Sequence, residues 1–229
     1  NLTLFLVAAY VIFLICLSNI LWPYIVKVKE NISIKAVKVG AVTLLIVIVM
    51  GLLFRLSYFG PGLATGGEFT DFHALLGLYG WIAMLIIGVS FQVIPMFFVT
   101  PAYPNWCRYN MTPVIIIALV LIAISLKVDW MAPIALFVLA ISLIIYAIVT
   151  LVLLHNRKRK IFDASVALWQ TGLTCLILSQ LALLQSKVTL INIFGIDSLV
   201  LFAGLFLLGF VCSIIIAMLL KILPFLAYM

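Results

Sequence analysis

Charged residues are what this sequence has least of: 8% of the chain, against 68% hydrophobic, with a mean hydropathy of +1.43. So few polar side chains cannot cover a water-soluble domain, which excludes that class at the outset. Acidic residues number six and are essentially missing from the apolar runs, which argues against a carboxylate-lined ion path or a proton pump. Histidine occurs twice and cysteine four times, with no CxxC pair, so neither a disulfide framework nor a zinc site is indicated. No phosphate loop or hydrolase triad is spelled out. Alternating strands of about ten residues, which a membrane barrel needs, are missing as well. The first apolar run is too long for a signal peptide and lacks a basic start and a small-residue cleavage site.

What the chain has instead is a succession of apolar runs of about 20 residues, each able at about 1.5 Å per residue to cross roughly 30 Å of hydrocarbon. Spans are predicted near 2–26, 36–58, 71–99, 112–128, 131–154, 164–186 and 198–226. The fold expected is all-α, a polytopic transmembrane helical bundle of about seven spans, because an open sheet would leave backbone groups unpaired in lipid. Lys27, Lys29, Lys35, Lys38, Arg108, Arg157, Lys158, Arg159, Lys160 and Lys221 all fall in alternate connections on one side. That side is expected to be cytoplasmic. Glu68, Asp71, Asp129 and Asp197 mark the other, with only Lys127 and Lys187. The location implied is a bacterial inner membrane, with residue 1 periplasmic and the last residue cytoplasmic. The net charge of +7 is then topogenic, held at an anionic inner leaflet, and calls for membrane lipid rather than nucleic acid as partner. "HNRKRK" reads as a solvated loop at the headgroups. A chain that begins without Met and stops in or just past a span is expected to be a fragment of a longer protein.

A shift of 129 residues lays Gly80, Trp81, Gly88, Ile94, Pro95 and Met96 over Gly209, Phe210, Ala217, Leu223, Pro224 and Phe225. The basic loops after the first and fifth spans overlay too. A four-helix unit is therefore expected to repeat within one transmembrane domain covering 1–229, the first copy near 1–128 and a partial second near 130–229.

The third predicted span, "TDFHALLGLYGWIAMLIIGVSFQVIPMFF", opens with Asp71 and His73. His73, Gly77, Gly80 or Trp81, Met84 and Gly88 follow one another at three- and four-residue steps and so share one helical face. A face so bare of side chains lets a flat ligand approach the backbone, or another helix pack closely; in the second case His73 is an interfacial histidine and the glycines ordinary small-residue packing. Arg55, near the outer end of the second span, either pairs with an anion such as Glu68, Asp71 or a ligand carboxylate, or snorkels to the headgroups.

"FRLSYFGPG", "DFHALLGLYGW" and "GVSFQVIPMFFVTPAYPNWCRYN" together resemble the first two helices and following loop of haem–copper oxidase subunit I. Arg55, Pro61, Gly62, His73, Gly88, Gln92, Pro95, Pro101 and Pro104 stand in that family's order, with Gln92 where the family has Asn. The resemblance covers about residues 50–110. It implies four-helix arcs about a pseudo-threefold axis, a b-type haem ligated by His73, a propionate paired with Arg55, and the face of Gly77, Gly80, Trp81, Met84 and Gly88 admitting the ring. Other subunits of a respiratory or membrane complex are the partners it implies. "CSIIIAMLLKILPF" has no histidine where the family binds copper, so no copper is expected in this segment. Oxidase-like proteins without the full metal set, including the NnrS-like group linked to nitrogen-oxide stress, are the relatives this pattern suggests.

Overall fold

A computed structural model describes residues 32–57, 67–161, 163–188 and 197–227, with isolated positions between 5 and 19; the side chains of residues 55–57, 67, 68, 187, 188 and 225 are outside that description. Among the described residues the fold is all-helical, without a strand, and six helices are long and apolar enough to cross a membrane. Helix α1 is Ile32–Ser57. Helix α2 covers 67–98: α-helix over Gly67–Leu75, π-helix over Leu76–Ala83, then α-helix over Met84–Phe98. Helices α3, α4 and α5 are Asn105–Ser125, Met131–His155 and Ala164–Val188. Helix α6 covers 198–227, with a π-helix over Leu205–Cys212 between the α-helices Ser198–Gly204 and Ser213–Ala227. The predicted span 2–26 lies largely outside the described residues; Phe5, Ile12, Phe13 and Ile15 within it are helical and exposed.

Helices α1 and α2 each begin four residues ahead of the predicted spans, and the largest departure is seven residues. The span predicted at 112–128 begins instead at Asn105. Pro104 sits just before it at φ −55°, ψ 141°, and its carbonyl accepts from Cys107 N–H at 3.0 Å and Arg108 N–H at 3.1 Å, so the chain turns helical at once. Reading apolar length alone passed over the polar first turns, "NWCRYN". Pro113 lies inside the helix, one donor fewer without a break.

The chain forms two compact units, Asn1–Val89 and Ser90–Met229. In the first, α1 packs on α2. In the second, α3 packs on α4, α4 on α5, and α5 on α6. Large apolar side chains such as Val200, Leu208 and Leu223 point outward, the surface that lipid requires. The second unit also buries a polar group: Tyr146 Oη donates to Ser90 Oγ at 2.9 Å, and the Tyr103 and Thr150 hydroxyls are 3.0 Å apart. Thr150 in turn donates to its own helix at Tyr146 O, so these hydroxyls are satisfied without water.

The two π-helices begin 129 residues apart, Leu76 and Leu205, and end 129 apart, Ala83 and Cys212. Their partner helices α1 and α5 begin 132 apart, at Ile32 and Ala164. Contacts follow the same offsets. A Cβ built on Gly40 of α1 would lie 3.6 Å from Trp81 O, and one on Gly172 of α5 would lie 3.3 Å from Phe210 O. Thr43 meets Gly80, and Cys175 meets Gly209. An α1–α2 pair and an α5–α6 pair thus share one design: a helix crossing a partner that loosens to π-helix where glycine brings the backbones together.

Candidate functional site

Small residues on α1, Ala36, Gly40, Thr43, Val47 and Gly51, recur at steps of three and four and make one bare stripe. Against it lies the face of α2 singled out from sequence. The two helices run antiparallel, so the contacts descend along α1 as they climb α2. A Cβ on Gly51 would meet His73 Cε1 at 3.5 Å, and one on Gly77 would meet Val47 at 3.8 Å. The Thr43 hydroxyl donates to the Gly80 carbonyl and also approaches Gly40 O at 2.8 Å. Trp81 covers Gly40, and Met84 is wholly buried. A Cβ on Gly88 would fall 2.7 Å from Ala36 Cβ and 3.2 Å from Ser33 O.

The π-helix explains how α2 keeps that face on α1. Its i→i+5 bonding, seen where Met84 N–H reaches Tyr79 O, widens the turn. Within it the Gly80 carbonyl accepts from the Thr43 hydroxyl.

The face therefore divides in two. At Gly80, Trp81 and Gly88 it is closed by α1, and the glycines serve close packing. At His73 and Gly77 the fit is looser: among the described residues outside each glycine's own helix backbone, a Cβ on Gly51 would meet only His73 within 4 Å, and one on Gly77 only Val47. The imidazole stands edge-on to Phe54, ring centroids 5.4 Å apart at 65°. Its Nδ1 is buried and has no hydrogen-bond partner among the described residues. A buried imidazole nitrogen with nothing to bond is costly unless a proton donor, an acceptor or a metal is its partner. Asp71, two residues ahead of it, is exposed and makes no bond to that nitrogen.

Those residues would give an iron one ligand, His73, whose ring lies against Gly51 and the edge of Phe54. Arg55 lies in α1 beyond Gly51, with its side chain outside the described residues. His155, the other histidine, is exposed at the C-terminal end of α4. Gly40, Thr43, Gly51 and Phe54 are site residues that sequence reasoning missed, although the small-residue stripe on α1 carried the signal. No protein-family model matches the chain, and comparison with curated proteins and with solved structures finds no significant match.

Proposed function

We propose that this chain is a haem-binding integral membrane protein of the haem–copper oxidase subunit I-like type, with a respiratory redox or nitrogen-oxide-related role and no copper centre in this segment. His73 is the axial ligand. The observation that carries the reading is its buried Nδ1, unpartnered among the described residues, in a ring that lies against Gly51. A b-type haem held there would supply a one-electron iron centre. Gly51 and Gly77 keep side chains away from the imidazole, Phe54 holds its ring edge-on, and Arg55, on the next turn of α1, supplies a cation for a propionate. The recurring helix pair supports a four-helix repeat, and the basic character of the connection at Arg157 to Lys160 supports a cytoplasmic side for it.

A second reading has its own observation. The fit of Gly88 against Ala36 and of Gly80 against Thr43 is what a non-catalytic membrane subunit or permease-like bundle would need, with no ligand at all. Absorbance separates the two. The full-length protein, purified from a host supplied with haem, is expected to show a Soret band that His73→Ala removes or converts and His155→Ala leaves intact. Wild-type protein without Soret absorbance sinks the haem reading and leaves the packing subunit.

A further inference from the structure

Within the second unit, a cavity of about 250 Å³ opens where the α4–α5 connection meets the ends of α2 and α6. Arg157, Arg159 and Asp163 line it from the connection, Phe98 and Val99 from the end of α2, and Lys221 from α6. Three cations thus face one carboxylate. That carboxylate is already engaged, since Asp163 pairs with Lys221 and accepts from Ser165 N–H at 2.9 Å. Lys221 in addition stands 5.4 Å over the Phe98 ring.

Arg157 and Arg159 are left without a carboxylate among the described residues. Arg157 is held in place by backbone: its Nη1 donates to Leu154 O and its Nε to Arg159 O, both at 3.1 Å. A guanidinium has five donors, so three remain after those bonds. The cavity wall is fixed too, because Val99, in the left-handed region at φ 51°, gives its carbonyl to Lys158 N–H at 3.1 Å and ties α2 to the connection.

We infer that this cavity binds an anionic phosphate group, gripped by Arg157 and Arg159, with an apolar wall suited to the acyl-glycerol part of a phospholipid. Planar guanidinium forks match phosphate oxygens two at a time. Basic pockets between membrane helices take lipid headgroups in the same way. Inorganic phosphate offers the same oxygens without the apolar part.

Native mass spectrometry of the full chain in detergent tests this with three probes: dioleoylphosphatidylglycerol, dioleoylglycerol and inorganic phosphate. The phosphatidylglycerol adduct is expected to exceed the dioleoylglycerol one. Arg159→Gln should weaken it by about fivefold, the worth of one basic residue at a lipid headgroup, whereas Lys158→Gln, outside the cavity lining, should change it little. Asp163→Asn removes the one lining carboxylate and should tighten it. A phosphate adduct equally sensitive to Arg159→Gln would assign the site to the free ion, and an adduct confined to phosphatidylglycerol to the lipid. Equal binding of the two lipids with no phosphate adduct, equal losses from Arg159→Gln and Lys158→Gln, or weakening by Asp163→Asn would overturn the proposal.

Discussion

The α1–α2 and α5–α6 pairs share a backbone plan and differ in what fills it. In the second pair Phe202, Phe206 and Phe210 stack along α6, with ring centroids 5.7 and 5.6 Å apart, and all three are buried. At the offset of 129, they answer to His73, Gly77 and Trp81. Gly51 on α1 answers, at the offset of 132, to Leu183, also buried. One pair therefore completes its core with aromatic and aliphatic bulk, and the other sets a histidine between two glycines at the same place. Nothing in the packing of the shared plan demands that difference, because the second pair shows the plan closing without it. A side chain that packing does not require is where function is best sought, which is why His73 carries the proposal and the glycines lower on α2 do not.

The largest effect is expected from removing the bulk of the second pair. Phe206 is wholly buried, and Phe206→Ala should cost about 3 kcal/mol through lost packing and the cavity left behind. At the equivalent place in the first pair, Gly77→Ala adds a methyl at ordinary contact distance from Val47 and should be nearly neutral. Unfolding of both variants in mixed micelles checks this; comparable losses would mean that the two pairs do not correspond.

A smaller loss is expected where both pairs bring backbones together. A Cβ on Gly209 would lie 2.6 Å from Cys175 Cβ, a backbone-attached atom that cannot swing aside, so Gly209→Ala should cost about 1–3 kcal/mol. Cys175→Gly should recover much of that loss in the double variant, a coupling measurable by a double-mutant cycle. Gly204→Ala, with nothing within 4 Å, should be harmless and serves as the control.

Much of this could be read from the residues and some could not. The correspondence of the two helix pairs was legible because Gly80 and Gly209, and Pro95 and Pro224, coincide under one shift. The π-helices were not, since "LGLYGWIA" and "LFLLGFVC" hold ordinary helix formers, and a change from i→i+4 to i→i+5 bonding leaves no mark in composition. The face of α2 was read correctly as a face, but what covers it was not, because the stripe of small residues on α1 lies among Val, Leu and Ile that carry the same hydropathy in either orientation. Helix ends followed the same logic: where an apolar run opened just past Asp163 or Asp197 the predicted start was met, and where the helix takes in charged or polar residues ahead of that run, as at Ile32, Gly67 and Asn105, it was missed by four to seven residues.

A third difference between the pairs is the kind of nitrogen left unpartnered among the described residues: an imidazole at His73 in the first, which can ligate a metal, and the indole N–H of Trp169 in the second, which cannot. His73→Phe gives the first pair the residue that its counterpart has at Phe202, replaces a buried unpaired nitrogen by carbon, and keeps a ring beside Phe54. Replacing an unsatisfied buried polar group by an apolar one of similar shape is neutral to favourable, so the apoprotein should gain up to about 1 kcal/mol while any haem absorbance disappears. Loss of both stability and absorbance would instead show that His73 has a structural partner.

The smallest effect concerns the Lys221–Asp163 ion pair of the second pair. Lys221 and Asp163 join α6 to the residue ahead of α5, whereas the first pair has Gln92 and Asn31 at the corresponding places in sequence. Burial works to raise the Asp163 carboxyl, but Lys221 and the Ser165 N–H outweigh it and bring it below the ordinary value of 3.8. A carboxyl lowered in the folded state stabilises above its unfolded pKa and stops doing so as pH falls through its folded one. Both partners are partly open to solvent, so the contribution is a few tenths of a kcal/mol and is screened by salt. Unfolding midpoints compared between neutral pH and about pH 3 should therefore fall slightly more for the wild type than for Asp163→Asn, whose side chain cannot titrate. Equal acid sensitivity of the two proteins would show that this pair adds nothing to the closure of α5 on α6.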